Sequence, residues 1–510
     1  MKLSLVFPPW FKEFGNYQAA ARRISTFPPL NLCIVAAIAK KAGWEVQLID
    51  AHIEGLNDDE LIKAVGDFNP DLIGLTAATP FYPNAARVAR MLKQALGKPI
   101  VMGGPHVTYF GAKAFVDGLD YLVIGECETV LTEFLEQFEK GNRYPDVLGI
   151  MTHKEEEVFY RGGAPTVSNL DTASLPERSL LKHELYMMGT SKGRKRYTSF
   201  QMSRGCPFSC IFCASDLYGK KVRRRSIDNV VEELKMVLHQ YKVEHIYFVD
   251  DVLTLDRAYI FKLCDAIEKH QLKFTFESST RADLWDEALA VRLKQCGLVR
   301  ISFGLESADD HVRELMKKGV SLDSHIVANK INNRLGIETT NSAIIGLPGD
   351  TRESINRTVQ YICSQRELQH ITLNIAIPYP GTEMFKMVER GDHGLKLVEE
   401  DFSKFQRYGS AVMDVGDLKA GELIDIQSMA LMRIYACWWR WIPIIKRFGI
   451  ETIFITAFRT SLALLESQYR KLKRSLSALS SRPLSPPPAA PSSSSAKPPI
   501  EQPSRETVLV

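Results

Sequence analysis

Long uncharged runs are missing from this chain of 510 residues. Its most apolar stretches, residues 435–441 and 450–465, are interrupted or flanked by Arg440, Lys446, Arg447, Glu451 and Arg459. A membrane-crossing helix needs about twenty consecutive, mostly apolar residues, so none is expected. Charge of one sign is equally scarce. Lys and Arg number 64 against 60 Asp and Glu, a formal net charge of +4, which gives no global pull toward nucleic acid or anionic lipid. There is no basic domain with interleaved aromatics, so nucleic acid is not an expected partner. The opening apolar run is short and meets Pro8-Pro9 at once, which does not fit a secretory signal. Cysteine is sparse and odd in number, nine in all and scattered, unlike a disulfide framework. A reducing, cytoplasmic setting is the expectation. The remaining composition, 45% hydrophobic and 24% charged, is that of a soluble globular chain, and the length suggests about two to four domains.

Three of the nine cysteines do cluster. Cys206, Cys210 and Cys213 form a Cys-x3-Cys-x2-Cys triplet in a short segment with Gly205 and Pro207. Thiolates hold iron–sulfur clusters, normally four to a cluster. Three of them could hold three irons of a 4Fe–4S cube and leave the fourth open to a small molecule. A structural zinc ion would want four closed ligands, but no further cysteine comes before Cys264, and His183 and His239 are distant. Unrelated core cysteines are the third reading.

Around the triplet, apolar runs and helical periods alternate. Before it, strands are expected near 2–7, 45–49, 72–76, 99–102 and 120–124, with helices near 31–42, 57–67, 84–96 and 127–140. That alternation predicts a parallel, doubly wound sheet, which binds ligands beyond the carboxyl ends of its strands. The residues there are Thr76, then Gly103-Gly104-Pro105-His106, then Gly125-Glu126-Cys127-Glu128. Residues 146–195 read as a connection adding an edge strand or two. The basic residues Lys192, Arg194, Lys195 and Arg196 before the triplet, and Lys220, Lys221, Arg223, Arg224 and Arg225 after it, read as a solvated charge run, with neutralisation of an anionic ligand as the alternative. From 196 to 395 six further βα units predict a partial (β/α)6 barrel, whose chemistry falls at the carboxyl ends of the strands. Asp250-Asp251, Arg281, Glu306-Ser307, Gly346-Leu347-Pro348-Gly349 and Pro378-Tyr379-Pro380-Gly381-Thr382 fall there. Residues 396–475 read as a helical cap. Residues 476–510, rich in Ser, Pro and Ala, cannot build a core and are expected to be disordered.

The triplet, with aromatic Phe212 just before its last cysteine, resembles the cluster loop of the radical S-adenosylmethionine (SAM) enzymes. The first 145 residues resemble the flavodoxin-like cobalamin-binding domain that precedes many of them. This resemblance implies a 4Fe–4S cluster on Cys206, Cys210 and Cys213. It implies SAM contacts from Phe212, Asp250, Asp251, Arg281, Glu306, Ser307, Gly346 and Pro348, and cobalamin contacts from Thr76, Gly103, Gly104, Pro105, His106, Gly125 and Glu126. Two departures stand out. Asp250-Asp251 occupies the place of the family's amine-binding Gly-Gly-Glu. Asp50-Ala51-His52-Ile53-Glu54-Gly55 matches a histidine-on-cobalt pattern but follows the second strand rather than the first, so His52 is expected at the corrin edge or in solvent. Gly104 and Gly125 are expected where a side chain would intrude on the corrin.

The activity the resemblance implies is methylation of an unactivated carbon in a small hydrophobic metabolite such as a lipid, pigment or natural product. An external donor such as flavodoxin or ferredoxin would supply electrons. Alternatives within the resemblance are oxidative ring closure on a porphyrin and RNA methylthiolation; a cobalamin sensor is the non-enzymatic one. Trp438, Trp439, Trp441, Ile444 and Ile445, with Arg440, Lys446 and Arg447 among them, have the composition of an interfacial belt, from which peripheral membrane contact is expected.

Overall fold

The computed structural model describes residues 1–10, 27–154, 157–190, 193–442 and 445. The part of the expected cap beyond residue 445 and the tail expected at 476–510 lie outside the described residues.

The first sheet begins with β1 (Lys2–Phe7), which pairs in parallel with β2 (Glu45–Asp50) and β3 (Leu72–Thr76); β4 (Ile100–Gly103) and β5 (Tyr121–Val123) follow in the parallel set. Two antiparallel strands, β6 (Ile150–Lys154) and β7 (Glu157–Tyr160), extend that edge, giving the order β2-β1-β3-β4-β5-β6-β7. The parallel core thus has the flavodoxin-like 2-1-3-4-5 order, whose switch point lies between β1 and β3. β3 is buried along its whole length, as a central strand covered on both faces must be. On one face Leu3, Leu5, Leu32, Ala36, Val101, Phe134 and Leu135 form a core with the helices Leu30–Lys41 and Leu131–Glu139. On the other, Ile73, Leu75, Ala85, Val88 and Leu92 pack with the helix Tyr82–Leu96. Local chemistry sets the boundaries. In the helix Asp58–Phe68, Asn57 and Glu60 cap each other reciprocally and Asn69 ends the helix in the left-handed conformation, a capping box followed by an αL stop.

The second sheet contains β8 (Met187–Thr190), antiparallel to β9 (Gly193–Phe200). After β9 comes a ribbon of β10 (Ser203–Arg204) with β11 (Arg223–Arg224), which brackets the cysteine loop. β12 (His245–Phe248), β13 (Thr275–Thr280), β14 (Leu298–Glu306), β15 (Glu338–Ile345) and β16 (His370–Ile375) complete a curved sheet in which β9 and β12–β16 are all parallel. Six parallel strands with helices on one side make a half-barrel. The helix-facing residues Phe248, Phe276, Ile301 and Phe303 join one core, and Ala343, Ile345, Leu373 and Ile375 another.

Beyond the half-barrel the chain forms a small hairpin, β17 (Leu395–Leu397) with β18 (Met413–Val415), then the helix Ala420–Tyr435. Arg440 is fully buried, and its guanidinium donates to the carbonyls of Ile362, Leu368 and Gln369. It therefore ties the end of the helix Arg352–Ser364 to the segment that follows, and is no part of a charged belt. Trp438, Ile442 and Ile445 remain exposed. No helix among the described residues is long and apolar enough to cross a membrane.

The charge run around the cysteine loop is not solvated throughout. Arg223 and Arg225 are buried. Arg225 pairs with Glu233 at 2.5 Å, and the fully buried Arg178 meets the same glutamate at 2.7 Å while donating to Thr198 Oγ1. Buried guanidinium is tolerated only when its donors are matched by acceptors, and these are.

Candidate functional site

The two sheets share one cavity of about 410 Å3. Its walls are the strand ends Thr76, Gly103, Gly104 and Pro105, the loop Gly125, Glu126, Cys127 and Glu128, and, from the second half, Gln201, Arg204, Gly205, Val249 and Asp251. Asn31 from the first helix also lines it and donates to Thr76 Oγ1 at 2.7 Å. The cavity runs along the face of the first sheet, where Gly74 and Gly103 leave the strands without side chains between Leu3, Leu5, Val101 and Val123. A Cβ on Gly103 would find only Val123 Cβ at 3.7 Å, ordinary contact, so the space above that glycine belongs to the cavity. Gly104 differs. Its φ is +110°, and a Cβ there would lie 2.6 Å from the Ala77 carbonyl oxygen. Its absence of side chain serves the protein's own turn rather than room for a ligand, which corrects the sequence expectation.

Of the residues expected at cobalamin, Thr76, Gly103, Gly104, Pro105, Gly125 and Glu126 line this cavity and His106 does not. His106 is buried, stacked on Tyr82 at 3.8 Å and packed against Phe110 and Phe402. Burial pushes its pKa down to about 4, so it stays neutral. His52 is neither in solvent nor on the cavity wall: it is buried in a single helical turn, its ring stacked on Trp10 at 4.0 Å, with the Trp10 backbone N–H directed at its Nδ1. Glu126 lines the wall, yet both its oxygens are engaged. Arg223 grips them at 2.6 and 2.8 Å, and the Val167 N–H donates at 3.0 Å. Burial would push the Glu126 carboxyl up, but Arg223, Val167 and Arg204 outweigh it and hold it below the usual carboxylate range. Beside it Glu128 pairs with Arg204 at 2.6 Å. The sequence showed both glutamates but not their partners. Arg204 immediately precedes Gly205-Cys206, so this double pair pins the cysteine loop to the first sheet.

The cysteine loop is held at several points. Ile211 N–H donates to the Met316 carbonyl at 3.3 Å, the Ile211 carbonyl accepts from Met384 N–H at 2.9 Å, and Lys220 reaches the Phe208 carbonyl at 2.7 Å. Arg281 lies over the Phe208 ring at 3.7 Å while bound to Asp283 and to the Lys318 carbonyl. Lys318 in turn pairs with Glu306 Oε1 at 2.6 Å. Burial pushes the Cys206 and Cys210 thiols up; Lys318 and Arg281 pull Cys210 back toward the thiolate that a metal needs. A structural zinc site closes with four ligands, and the loop supplies three cysteines. Three sulfurs offered from one anchored loop, with two cations close by, fit a larger anionic cluster.

Glu306 is the strained residue of this site. It has φ +62° and is buried, and its Oε2 has no partner among the described residues. A non-glycine residue in the left-handed region costs about 1–3 kcal/mol and is retained where the surroundings fix it. A Cβ on Gly304 would overlap the present positions of the Glu306 carboxylate and Lys318 ammonium, so any side chain there would displace that ion pair. The unpaired Oε2 suits a donor such as an ammonium or a ribose hydroxyl. Asp251 stands open in the cleft, where nearby protein pushes its carboxyl up.

The other residues expected at SAM are engaged within the protein. Asp250 is buried and accepts from Met202 N–H and the Ser203 hydroxyl, joining two strand ends. Ser307 is buried against Thr358 at 3.2 Å. Phe212 packs on the second core of the half-barrel. Gly346 and Pro348 are buried in a turn fixed by Asp350, which accepts from Leu347 N–H at 3.0 Å.

Two family descriptions match this chain: "B12 binding domain" over residues 19–135 and "Radical SAM superfamily" over residues 200–362. An uncharacterized methyltransferase of Pyrococcus horikoshii is 31% identical over 393 residues, covering 76% of this chain and 83% of that protein. The chain belongs to the radical SAM enzymes that carry a B12-binding domain. Its cofactors are those of that family, a 4Fe–4S cluster, SAM and cobalamin. The anaerobic magnesium-protoporphyrin IX monomethyl ester cyclase of Rubrivivax gelatinosus is 26% identical over 423 residues, 80% of this chain and 74% of that one. The fold is shared with the radical SAM methyltransferase TsrM from Kitasatospora setae, solved with cobalamin and a 4Fe–4S cluster, at TM-score 0.66 and 16% identity over 86% of this chain and 88% of that one. In this radical SAM, B12-binding chain the cavity and the cysteine loop adjoin each other, Gly205 of the loop forming part of the cavity wall.

Proposed function

We propose that this enzyme transfers a methyl group to an unactivated carbon of a small molecule. The observation that carries the reading is a cavity walled by both halves, with Gly103 and Gly125 on one side and Gly205 and Asp251 on the other. When bound, the cluster with SAM supplies one-electron hydrogen abstraction and the cobalamin supplies a methyl donor. The chain's own residues do the positioning. Glu126 and Glu128 hold Arg223 and Arg204, fixing the distance between the two cofactor sites. Glu306 Oε2 and Asp251 offer acceptors beside the cysteine loop, and Lys318 and Arg281 balance its charge. Leu3, Leu5, Val101 and Val123 give the inner cavity an apolar wall. An external one-electron donor such as flavodoxin or ferredoxin completes the cycle.

The test is product analysis under anaerobic, reducing conditions. S-adenosylhomocysteine and 5′-deoxyadenosine are expected together. Deoxyadenosine without S-adenosylhomocysteine would refute methyl transfer in favour of oxidative ring closure or rearrangement. Peripheral membrane contact, as part of this proposal, rests on exposed Trp438, Ile442 and Ile445 alone, since Arg440 is buried. Wild-type protein is expected to float with anionic vesicles at low salt; protein wholly in the soluble fraction would remove that element.

A further inference from the structure

The two edges of the first sheet are built differently. β2, at one edge, is buried or half-buried in five of its six residues, whereas all four residues of β7, at the other, are exposed. β7 is nevertheless apolar. Val158, Phe159 and Tyr160 are 39–42% exposed, and Tyr144 and Leu148, in the loop before β6, are 46% and 39% exposed. Among the described residues the strand partner of β7 is β6 alone, in an unbroken register from Met151↔Tyr160 to Lys154↔Glu157. An open edge is a row of unpaired N–H and C=O groups, which proteins usually blunt with lysine, proline, a bulge or a covering element. The stretch Glu157-Val158-Phe159-Tyr160-Arg161 has neither lysine nor proline. An edge of this kind accepts a further strand.

The residues of the edge select the strand. An antiparallel copy of the same stretch, centred on Phe159, sets Val158 opposite the partner's Tyr160 and Glu157 opposite the partner's Arg161. Two-fold symmetry repeats both pairs. Alternation puts Glu157, Phe159 and Arg161 on one face, so two Glu–Arg pairs flank a Phe–Phe pair there, with two Val–Tyr pairs on the other face. Opposite charges, aromatic pairs and aromatic–β-branched pairs are the combinations that stabilise neighbouring strands. Moving the centre by one residue loses this match, because Glu157 then faces Phe159 or Gly163. The charges are also available. Glu157 makes no ion pair among the described residues, and Arg161 meets Asp146 at 3.3 Å with both side chains more than half exposed, a pairing worth little.

We infer that this protein associates with a second copy of itself through β7, the two strands joining antiparallel about a two-fold axis at Phe159. The seven-stranded sheets of the two copies thereby become one continuous sheet. None of the residues from Glu157 to Arg161 lines the cavity, so the pairing takes nothing from the cofactor site. A contact over five residues belongs with the small, transient interfaces below about 1,200 Å2. The dimer is therefore reversible and depends on protein concentration.

The experiment is sedimentation equilibrium of full-length, cluster-reconstituted protein over a series of concentrations under anaerobic conditions. Wild type is expected to pass from monomer to dimer as concentration rises. Glu157→Arg sets arginine against arginine at both symmetry-related places, and Arg161→Glu sets glutamate against glutamate. Each should weaken association about tenfold or more, with iron content and far-UV circular dichroism as in wild type. The double variant Glu157→Arg/Arg161→Glu restores opposite charges and should regain the association of wild type. A wild type that stays monomeric throughout would overturn the proposal. So would single variants that associate as wild type does, which would place the contact on another surface, or a double variant no better than the singles.

Discussion

Alanine at any one of Cys206, Cys210 or Cys213 is expected to abolish SAM cleavage outright and to strip the reconstituted protein of its iron–sulfur absorbance. The three sulfurs come from one loop, and that loop is fastened independently of any metal through Met316, Met384 and Lys220. The variants should therefore fold, with circular dichroism and thermal midpoint near those of the apo wild type. The two thiolates left in each variant fall short of the three that a cube with one open iron requires. The effect is thus expected to be all-or-none. Full iron content with normal cleavage in any of the three variants would remove the loop from the mechanism.

The second large effect is expected at Gly103. A leucine there finds no clash for its Cβ, because Val123 Cβ lies at 3.7 Å, and the rest of the side chain occupies the cavity. Filling a ligand's space costs about 1–3 kcal/mol, so Gly103→Leu should retain the cluster and lose cobalamin affinity by about tenfold or more. The measurement is visible absorbance of bound cobalamin after gel filtration, with iron assayed on the same sample. Gly104→Val is the instructive contrast. Its Cβ would meet the Ala77 carbonyl in a backbone conformation that disfavours side chains, so it should damage the fold and both cofactor sites together. Normal cobalamin retention in Gly103→Leu would move the corrin away from this wall.

Much of this was legible in the sequence because apolar strands and glycine-ended βα turns carry their own periodicity. The strand ends at Thr76, Gly103 and Gly125, the cysteine loop and the six strands of the half-barrel all announced themselves that way. What sequence could not resolve was which of two adjacent polar residues faces the site. Asp250 turns inward to Ser203 while Asp251 faces the cleft; Glu306 keeps an unpaired oxygen while Ser307 packs on Thr358. Neighbouring side chains at a strand end leave the backbone in different directions, so a dipeptide identifies a place without a direction. Buried cations escaped for a different reason. Arg223 and Arg440 read as surface charges until their acceptors, supplied by residues far away in sequence, are known.

The Glu126 and Glu128 pairs with Arg223 and Arg204 bear on whether the two halves are separable. A boundary near residue 145 is easy to draw on the sequence, but cutting there would leave two carboxylates on one fragment and two guanidiniums on the other, each shaped for a counter-charge it no longer has. Removing one partner of a buried pair is far more damaging than never having built it. The halves are therefore poor candidates for modular exchange. A chimera joining this cobalamin domain to another barrel would have to carry the acceptor arginines across with it, and the seam, more than either sheet, is the unit that such grafting must preserve.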